Sequence, residues 1–283
     1  MDTFTFGGEL TVPRLGLGAM RMTGPGIRGP PADRDAAVAV LRRAVDLGVR
    51  LIDTADAYGP HIGEELVAEA LHPYPSDLVI SAKGGLTRQG PDRWHAVGRP
   101  EYLRQCVEMS LRRLRLDCLD LYHLHRIDPL VPLEDQVGAL AELRTEGKIR
   151  HIGLSEVDVE EIERARAVTD IAAVQNIFNL TRQRYRDTLD HCTEAGIGFI
   201  PFFPLGVGRL ARHDGPLATT AATHRTTPAQ LALARLLHLS PAVVPIPGTT
   251  SVDHLTTNLA SADLPLTDSE VSALGRAWTD TGA

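Results

Sequence analysis

This sequence predicts an α/β fold of the (β/α)8 TIM barrel class. Short apolar runs alternate with helical patterns at close intervals, which is the sign of repeated βαβ units and a parallel sheet. Eight such pairs can be counted, the number that closes a barrel. The 283 residues, 43% hydrophobic, suit either two ordinary domains or one large barrel of about 250 residues. No low-complexity linker divides the chain, so one barrel spanning residues 1–283 is the reading adopted.

Taken in order, Phe4–Phe6 and Leu10–Val12 flank Gly7-Gly8-Glu9, a hairpin signal, and a small hairpin is expected to plug the N-terminal end of the barrel. Strands are expected at Leu15–Gly18, Leu51–Asp53, Leu78–Ser81, Leu119–His123, Ile149–Leu154, Ala173–Asn176, Ile197–Pro201 and Val243–Pro245. Helices fill the intervals at Arg34–Leu47, Gly63–Leu71, Glu101–Leu114, Leu133–Glu146, Val159–Val168, Gln183–Ala195, Pro228–His238 and Val252–Ala262. Thr227, Pro228 and Gln230 form an N-cap, a first-turn proline and a capping-box partner, while Gly48, Gly147 and Gly196 suit the left-handed position after a helix. Thr267-Asp268-Ser269-Glu270 is a second capping box, opening a C-terminal helix that reaches about Trp278. The Pro- and Gly-rich segments Gly24–Ala32 and Gly90–Pro100 read as loops.

Charge and cysteine usage exclude several classes. A net charge of -7 argues against general affinity for nucleic acid or acidic membranes. The basic run Arg112-Arg113-Leu114-Arg115 ends an expected helix, where cations favour the negative end of the dipole. No stretch of about 18 apolar residues occurs and the N-terminus lacks the pattern of a secretory signal, so a cytoplasmic protein is expected. Cys106, Cys118 and Cys192 are odd in number and contain no Cys-x-x-Cys pair, which predicts three reduced thiols.

Four residues carry the chemistry. Asp53 and Tyr58 lie in Leu51-Ile52-Asp53-Thr54-Ala55-Asp56-Ala57-Tyr58-Gly59, Lys83 ends Leu78-Val79-Ile80-Ser81-Ala82-Lys83, and His125 ends Leu119-Asp120-Leu121-Tyr122-His123-Leu124-His125. Each sits where an apolar run passes into a loop, the place where a barrel builds its active site. A phenol titrates near ~10 and a lysine ammonium near ~10.4, so neither alone is a useful acid at neutral pH. Gathered in a partly dry cleft, the ammonium is expected to lower the phenol pKa while Asp53 holds the ammonium in place. Tyr58 is then the expected proton donor.

These four residues, in order and spacing, resemble the aldo-keto reductase signature, and the resemblance covers nearly the whole chain. It implies Asp53, Tyr58, Lys83 and His125 as catalytic residues and NADPH (NADP+) as cofactor, with NADH possible. His125 matches the family histidine, whereas His123 stands where an apolar residue is usual and reads as a packed or pocket-edge histidine. Ser155, Glu156 and Gln175 match the positions that bind the nicotinamide carboxamide, with Glu156 in place of the usual Asn. A carboxylate there can accept from the carboxamide NH₂ but cannot donate. Phe202 matches the aromatic residue stacked on the nicotinamide, followed by Pro204, Leu205 and Gly206. Gly18, Ala19 and Met20 end the first strand and allow the cofactor backbone to approach. Gly248, Thr249, Thr250, Ser251, His254 and Asn258 match the adenosine-phosphate segment, with Gly248 replacing a Lys and His254 replacing an Arg of other branches. No Gly-x-Gly-x-x-Gly is present, since Arg21 follows Gly16-Leu17-Gly18 by three residues, and the family needs none.

The expected substrate is a small-molecule carbonyl, with Trp94, His123 and Phe203 at its pocket and Met22–Ala32 and Gly85–Gly98 bordering it. Trp94 is equally suited to a substrate wall and to a loop anchor. The glycines at 206, 208 and 215 suggest a flap over the cofactor. Similar Ser-Glu and Pro-Gly-Thr patterns occur in pyridoxal reductase-like branches, which makes a pyridoxal-type aldehyde a first test. Two rivals stand beside this reading. His123-x-His125 puts two imidazoles on one strand face, as metal-dependent barrel hydrolases do. The same fold also serves as a cofactor-binding sensor or regulatory subunit, because fold alone does not settle function.

Overall fold

The computed structural model describes residues 2–90, 93–215 and 217–279. A hairpin of β1 (Thr3–Phe6) and β2 (Leu10–Pro13) opens the chain, paired antiparallel from Thr3↔Pro13 to Phe6↔Leu10. Next come β3 (Leu17–Gly18), β4 (Leu51–Asp53), β5 (Val79–Gly84), an outlying hairpin of β6 (Leu86–Gly90) and β7 (Arg93–Ala96), then β8 (Leu119–Leu124), β9 (Ile149–Ser155), β10 (Ala173–Gln175) and β11 (Gly198–Phe199). Seven of these strands form one parallel curled sheet in the order β11-β10-β9-β8-β5-β4-β3.

Closure falls to the segment read as the eighth strand. Val243 makes a single parallel bridge to Phe199, with Phe199 N donating to Ala242 O at 2.8 Å and Val244 N to Phe199 O at 2.9 Å. On the other edge Gly16 N donates to Pro245 O at 2.9 Å, so the sheet edges meet through this segment. It is extended but not a regular strand, because Pro245 and Pro247 have no N–H to continue a ladder.

Helices α1 (Arg34–Asp46), α2 (Ile62–Leu71), α3 (Pro100–Leu114), α4 (Leu133–Thr145), α5 (Val159–Arg166), α6 (Arg186–Ala195), α7 (Ala218–Thr223), α8 (Pro228–Leu239), α9 (Val252–Leu259) and α10 (Asp268–Thr279) complete the order. The expected capping box at Thr227 and Gln230 is present, with Pro228 in the first turn, and Thr267 and Glu270 bond reciprocally ahead of α10. Gly196 caps α6 in the left-handed region. Most element boundaries shift by a few residues from expectation, and three differences stand out. The helix expected from Gln183 begins at Arg186, because a turn closed by Arg186 N donating to Gln183 O at 3.1 Å precedes it. The helix read to Ala262 becomes a tighter turn from Ala260. The segment read as a loop over Gly90–Pro100 carries β7 instead.

Inward-facing residues change character along each strand, and this positions the site. Leu51, Val79, Leu121 and Ala173 pack with Phe6, Leu10 and Val12 of the N-terminal hairpin, which plugs the barrel floor as expected. Their outward neighbours Ile52, Ile80, Tyr122 and Val174 pack in the larger core that the surrounding helices share. Gly198 makes the plug possible, since a Cβ there would lie 2.2 Å from the Phe6 ring. Two residues further along each strand, the inward positions become Asp53, Ser81, His123 and Gln175. Polar chemistry is therefore confined to the C-terminal end of the barrel. Among the described residues no helix is long and apolar enough to cross a membrane. Cys106, Cys118 and Cys192 are free thiols.

Candidate active site

Lys83 is the centre of the site. Its Nζ is fully buried and donates to Asp53 Oδ2 at 2.6 Å, to Thr54 O at 2.8 Å and to the Tyr58 hydroxyl at 3.2 Å. An ammonium has three donors, and all three are used. Asp53 is held in turn, its Oδ1 accepting from Ser81 Oγ at 3.0 Å and from Gln175 Nε2 at 2.9 Å. Tyr58 comes from the loop after β4, closed by Tyr58 N donating to Ala55 O at 3.2 Å.

The electrostatics run against one expectation. Burial alone would lower the Lys83 pKa, but Asp53 and Tyr58 outweigh it and hold the ammonium charged, above its ordinary value. For Tyr58 burial is the largest influence and raises the phenol; Lys83 pulls it down without reversing the shift. The phenol thus keeps its proton more firmly than in water, whereas the sequence suggested a lowered pKa. The ammonium acts as expected, and desolvation outweighs it.

His125 follows β8 and presents its ring edge-on to Tyr58, with centroids 5.9 Å apart. Burial first, then Lys83, Arg126 and His123, hold its pKa well below the ordinary imidazole value, so it is neutral. Its Nδ1 is buried without a hydrogen-bond partner. His123 lies deeper, with Nδ1 3.4 Å from Ser81 Oγ, and burial takes its pKa down to about 4. Gly153 accommodates that ring, since a Cβ there would be 2.3 Å from His123 Cδ2. Among the described residues, no three His, Cys, Asp or Glu gather as a metal site.

A cleft of about 640 Å³ runs from Asp53 and Tyr58 to α9. Of the residues assigned to the cofactor by resemblance, Gly18, Met20, Phe202, Pro204, Leu205, Gly248, Thr249, Thr250, His254 and Asn258 line it. Ala19 is buried beneath it, Gly206 opens the turn after Leu205, and Ser251 caps α9 by accepting from His254 N. Ser155 and Gln175 are buried at the ends of β9 and β10. Phe203 lines the cleft; Trp94 does not. The Trp94 ring stacks under the Arg88 guanidinium at 3.6 Å, and Arg88 donates to Ile27 O, Ala57 O and Gly26 O, so Trp94 anchors β7 to neighbouring loops.

Glu156 is bonded within the protein. Its backbone takes a left-handed φ of 59°, its Oε1 accepts from Ile177 N at 2.6 Å, and its Oε2 pairs with Arg184 at 3.0 Å. Both oxygens are occupied by the protein. Residues missed from the sequence include Arg21, Arg212 and His213, which line the cleft, and Arg126, which lies beside His125. Arg21 directly follows Gly18-Ala19-Met20 and was legible by position; Arg212 and His213 are brought in by a loop that no local pattern connects to the site.

Comparison with known proteins decides the family: the model described as the Aldo/keto reductase family matches residues 14–279. The chain belongs to the aldo/keto reductase family. This aldo-keto reductase is 46% identical to an uncharacterized oxidoreductase of Schizosaccharomyces pombe over 94% of its own length and 86% of the relative's. It is 42% identical to pyridoxine 4-dehydrogenase of Escherichia coli, covering 96% of this chain and 97% of that one. A solved aldo-keto reductase from Klebsiella pneumoniae in complex with NADPH superposes with a TM-score of 0.83 at 30% identity, over 98% of this chain and 95% of that chain. Family membership makes the protein a nicotinamide-dependent oxidoreductase acting on small carbonyl compounds.

Proposed function

We propose that this aldo-keto reductase uses NADPH to reduce a small aldehyde, with Tyr58 as the proton donor. The observation that carries the reading is the Lys83 ammonium, bonded at once to Asp53 and to the Tyr58 hydroxyl at the inner end of the cleft. A nicotinamide held in the cleft would supply the hydride for the carbonyl carbon. Tyr58 gives its proton to the carbonyl oxygen as charge builds there, and the carbonyl becomes an alcohol. Lys83 stabilises the phenolate left behind, which reconciles a phenol that holds its proton at rest with one that releases it during reaction. Neutral His125 offers one N–H, enough to orient the carbonyl oxygen without adding charge.

The cleft fits the cofactor. Phe202 offers a ring face for stacking, and the hydroxyls of Thr249 and Thr250 stand at the N-terminal end of α9, where free N–H groups favour phosphate. Arg21 brings a cation to that end of the cleft, which supports NADPH over NADH, while Arg212 beside it is paired with Asp214. The relative from E. coli, named pyridoxine 4-dehydrogenase, supports a pyridoxal-type aldehyde as substrate. The deciding experiment titrates NADPH and NADH by protein fluorescence and then follows reduced-nicotinamide absorbance with an aldehyde panel including pyridoxal. Tight NADPH binding with aldehyde-dependent oxidation is expected. Binding without turnover on any aldehyde would favour a sensor, and failure to bind either nucleotide would refute the reading.

A further inference from the structure

Arg126 is a cation in an unusual place. It follows His125, and its Nη1 donates to His125 O at 2.5 Å and to Ser155 Oγ at 2.9 Å. Its Cζ lies 5.8 Å from the centroid of Phe202, a wall of the cleft. It forms no ion pair among the described residues. Glu156 is the carboxylate whose field reaches it most strongly, but that group is committed to Ile177 N and Arg184. Burial draws the guanidinium pKa down from its ordinary value, yet it stays a cation. A largely buried cation without a carboxylate partner is costly unless something else accepts its hydrogens.

Its position beside Ser155 and Phe202 points to what that is. A primary carboxamide needs acceptors for its NH₂ and a donor for its oxygen. Gln175 gives one N–H to Asp53, which leaves its oxygen as an acceptor and one N–H as a neutral donor. Glu156 has no donor and is turned away. Ser155 accepts from Arg126 through its hydroxyl oxygen and keeps its own O–H as a neutral donor. The charged donors beside Ser155 and Phe202 are the remaining N–H groups of Arg126, which make no hydrogen bond among the described residues, and a guanidinium donates more strongly than the hydroxyl or amide beside it.

We infer that Arg126 reads the nicotinamide carboxamide, donating to its oxygen the hydrogen bond that a carboxylate at position 156 cannot give. The inference rests on the cofactor assignment of the proposed function. It also makes a statement about ligand chemistry: a guanidinium reader accepts a carboxylate at the same ring position, whereas a neutral amide reader beside Glu156 would repel it.

The test is a binding measurement. The wild-type protein, Arg126→Met and Arg126→Lys are titrated by calorimetry with NADP+, with its nicotinic acid analogue, and with 2′-phospho-ADP-ribose, which lacks the pyridine ring. Wild type is expected to bind the nicotinic acid analogue at least as tightly as NADP+. Arg126→Met should weaken NADP+ on the order of tenfold and the analogue on the order of a hundredfold, leaving 2′-phospho-ADP-ribose unchanged. Arg126→Lys keeps the charge and should retain part of the analogue's affinity, so it decides the matter should the Met variant misfold. An unchanged ratio of the two dinucleotides in the variants overturns the role of Arg126 while leaving the cofactor assignment intact. Failure of wild type to bind NADP+ or 2′-phospho-ADP-ribose overturns both.

Discussion

Two buried polar clusters lie within a few residues of each other, and they solve the same problem differently. The inner one, Asp53, Lys83 and Tyr58, is saturated: three donors on Lys83 meet three acceptors, and Asp53 takes two further hydrogen bonds. The outer one lies between the barrel and helices α2 and α3. There Arg113 donates to Glu64 at 2.5 Å and to Ser110 at 3.4 Å, but Asp56 Oδ1, Glu64 Oε1 and the Tyr122 hydroxyl have no partner. Burial, then Glu64, pushes the Asp56 carboxyl up to about 8, so at neutral pH it is mostly protonated. Asp53 and Asp56 stand three residues apart in one segment, Asp53 with both oxygens bonded and Asp56 with its Oδ1 unpartnered. Charge in a barrel of this kind is maintained by matched hydrogen bonds, not by residue type.

The sharpest way to break the comparison is in the inner cluster. Tyr58→Phe removes the proposed donor while keeping the ring, so kcat should fall by about 10²- to 10⁴-fold with NADPH affinity retained. Steady-state kinetics beside a cofactor titration check it, and near wild-type turnover would refute the role of Tyr58. In the outer cluster the effect should be on stability instead. Arg113→Met strands Glu64 and should cost about 3–5 kcal/mol in a denaturant melt, with turnover per folded molecule unchanged. A loss of turnover without a loss of stability would join the two clusters functionally.

The smallest effect belongs to Asp56 and is visible only against pH. Its folded pKa, about 8, is raised from an ordinary 3.8, so the folded state holds a proton that the unfolded chain has released. Stability from this group is complete below about pH 4 and declines as pH rises toward about 8. Asp56→Asn should remove that decline, giving a melting temperature that falls less between neutral and mildly alkaline pH than that of wild type. Parallel curves for the two proteins would show that Asp56 is already ionised.

Much of the fold and of the proposed reaction centre was written locally. Alternating apolar runs placed every strand of the sheet within a few residues, because period-two burial and helical spacing are properties of short windows. The caps at Thr227 and Thr267 were legible for the same reason, as were Asp53, Tyr58, Lys83 and His125, each at the end of an apolar run. Other features came only from distant parts of the chain meeting. Trp94 became an anchor because Arg88 covers it, and Glu156 turned away because Ile177 N and Arg184 claim its oxygens. The upward shift of Tyr58, the neutrality of His123 and His125, and the isolation of Arg126 depend on how completely neighbouring strands exclude water. The sequence by itself determined which groups stand at the mouth of the barrel. Only the tertiary structure decided their charge and direction, since desolvation and hydrogen-bond partners are supplied by residues far away in the chain.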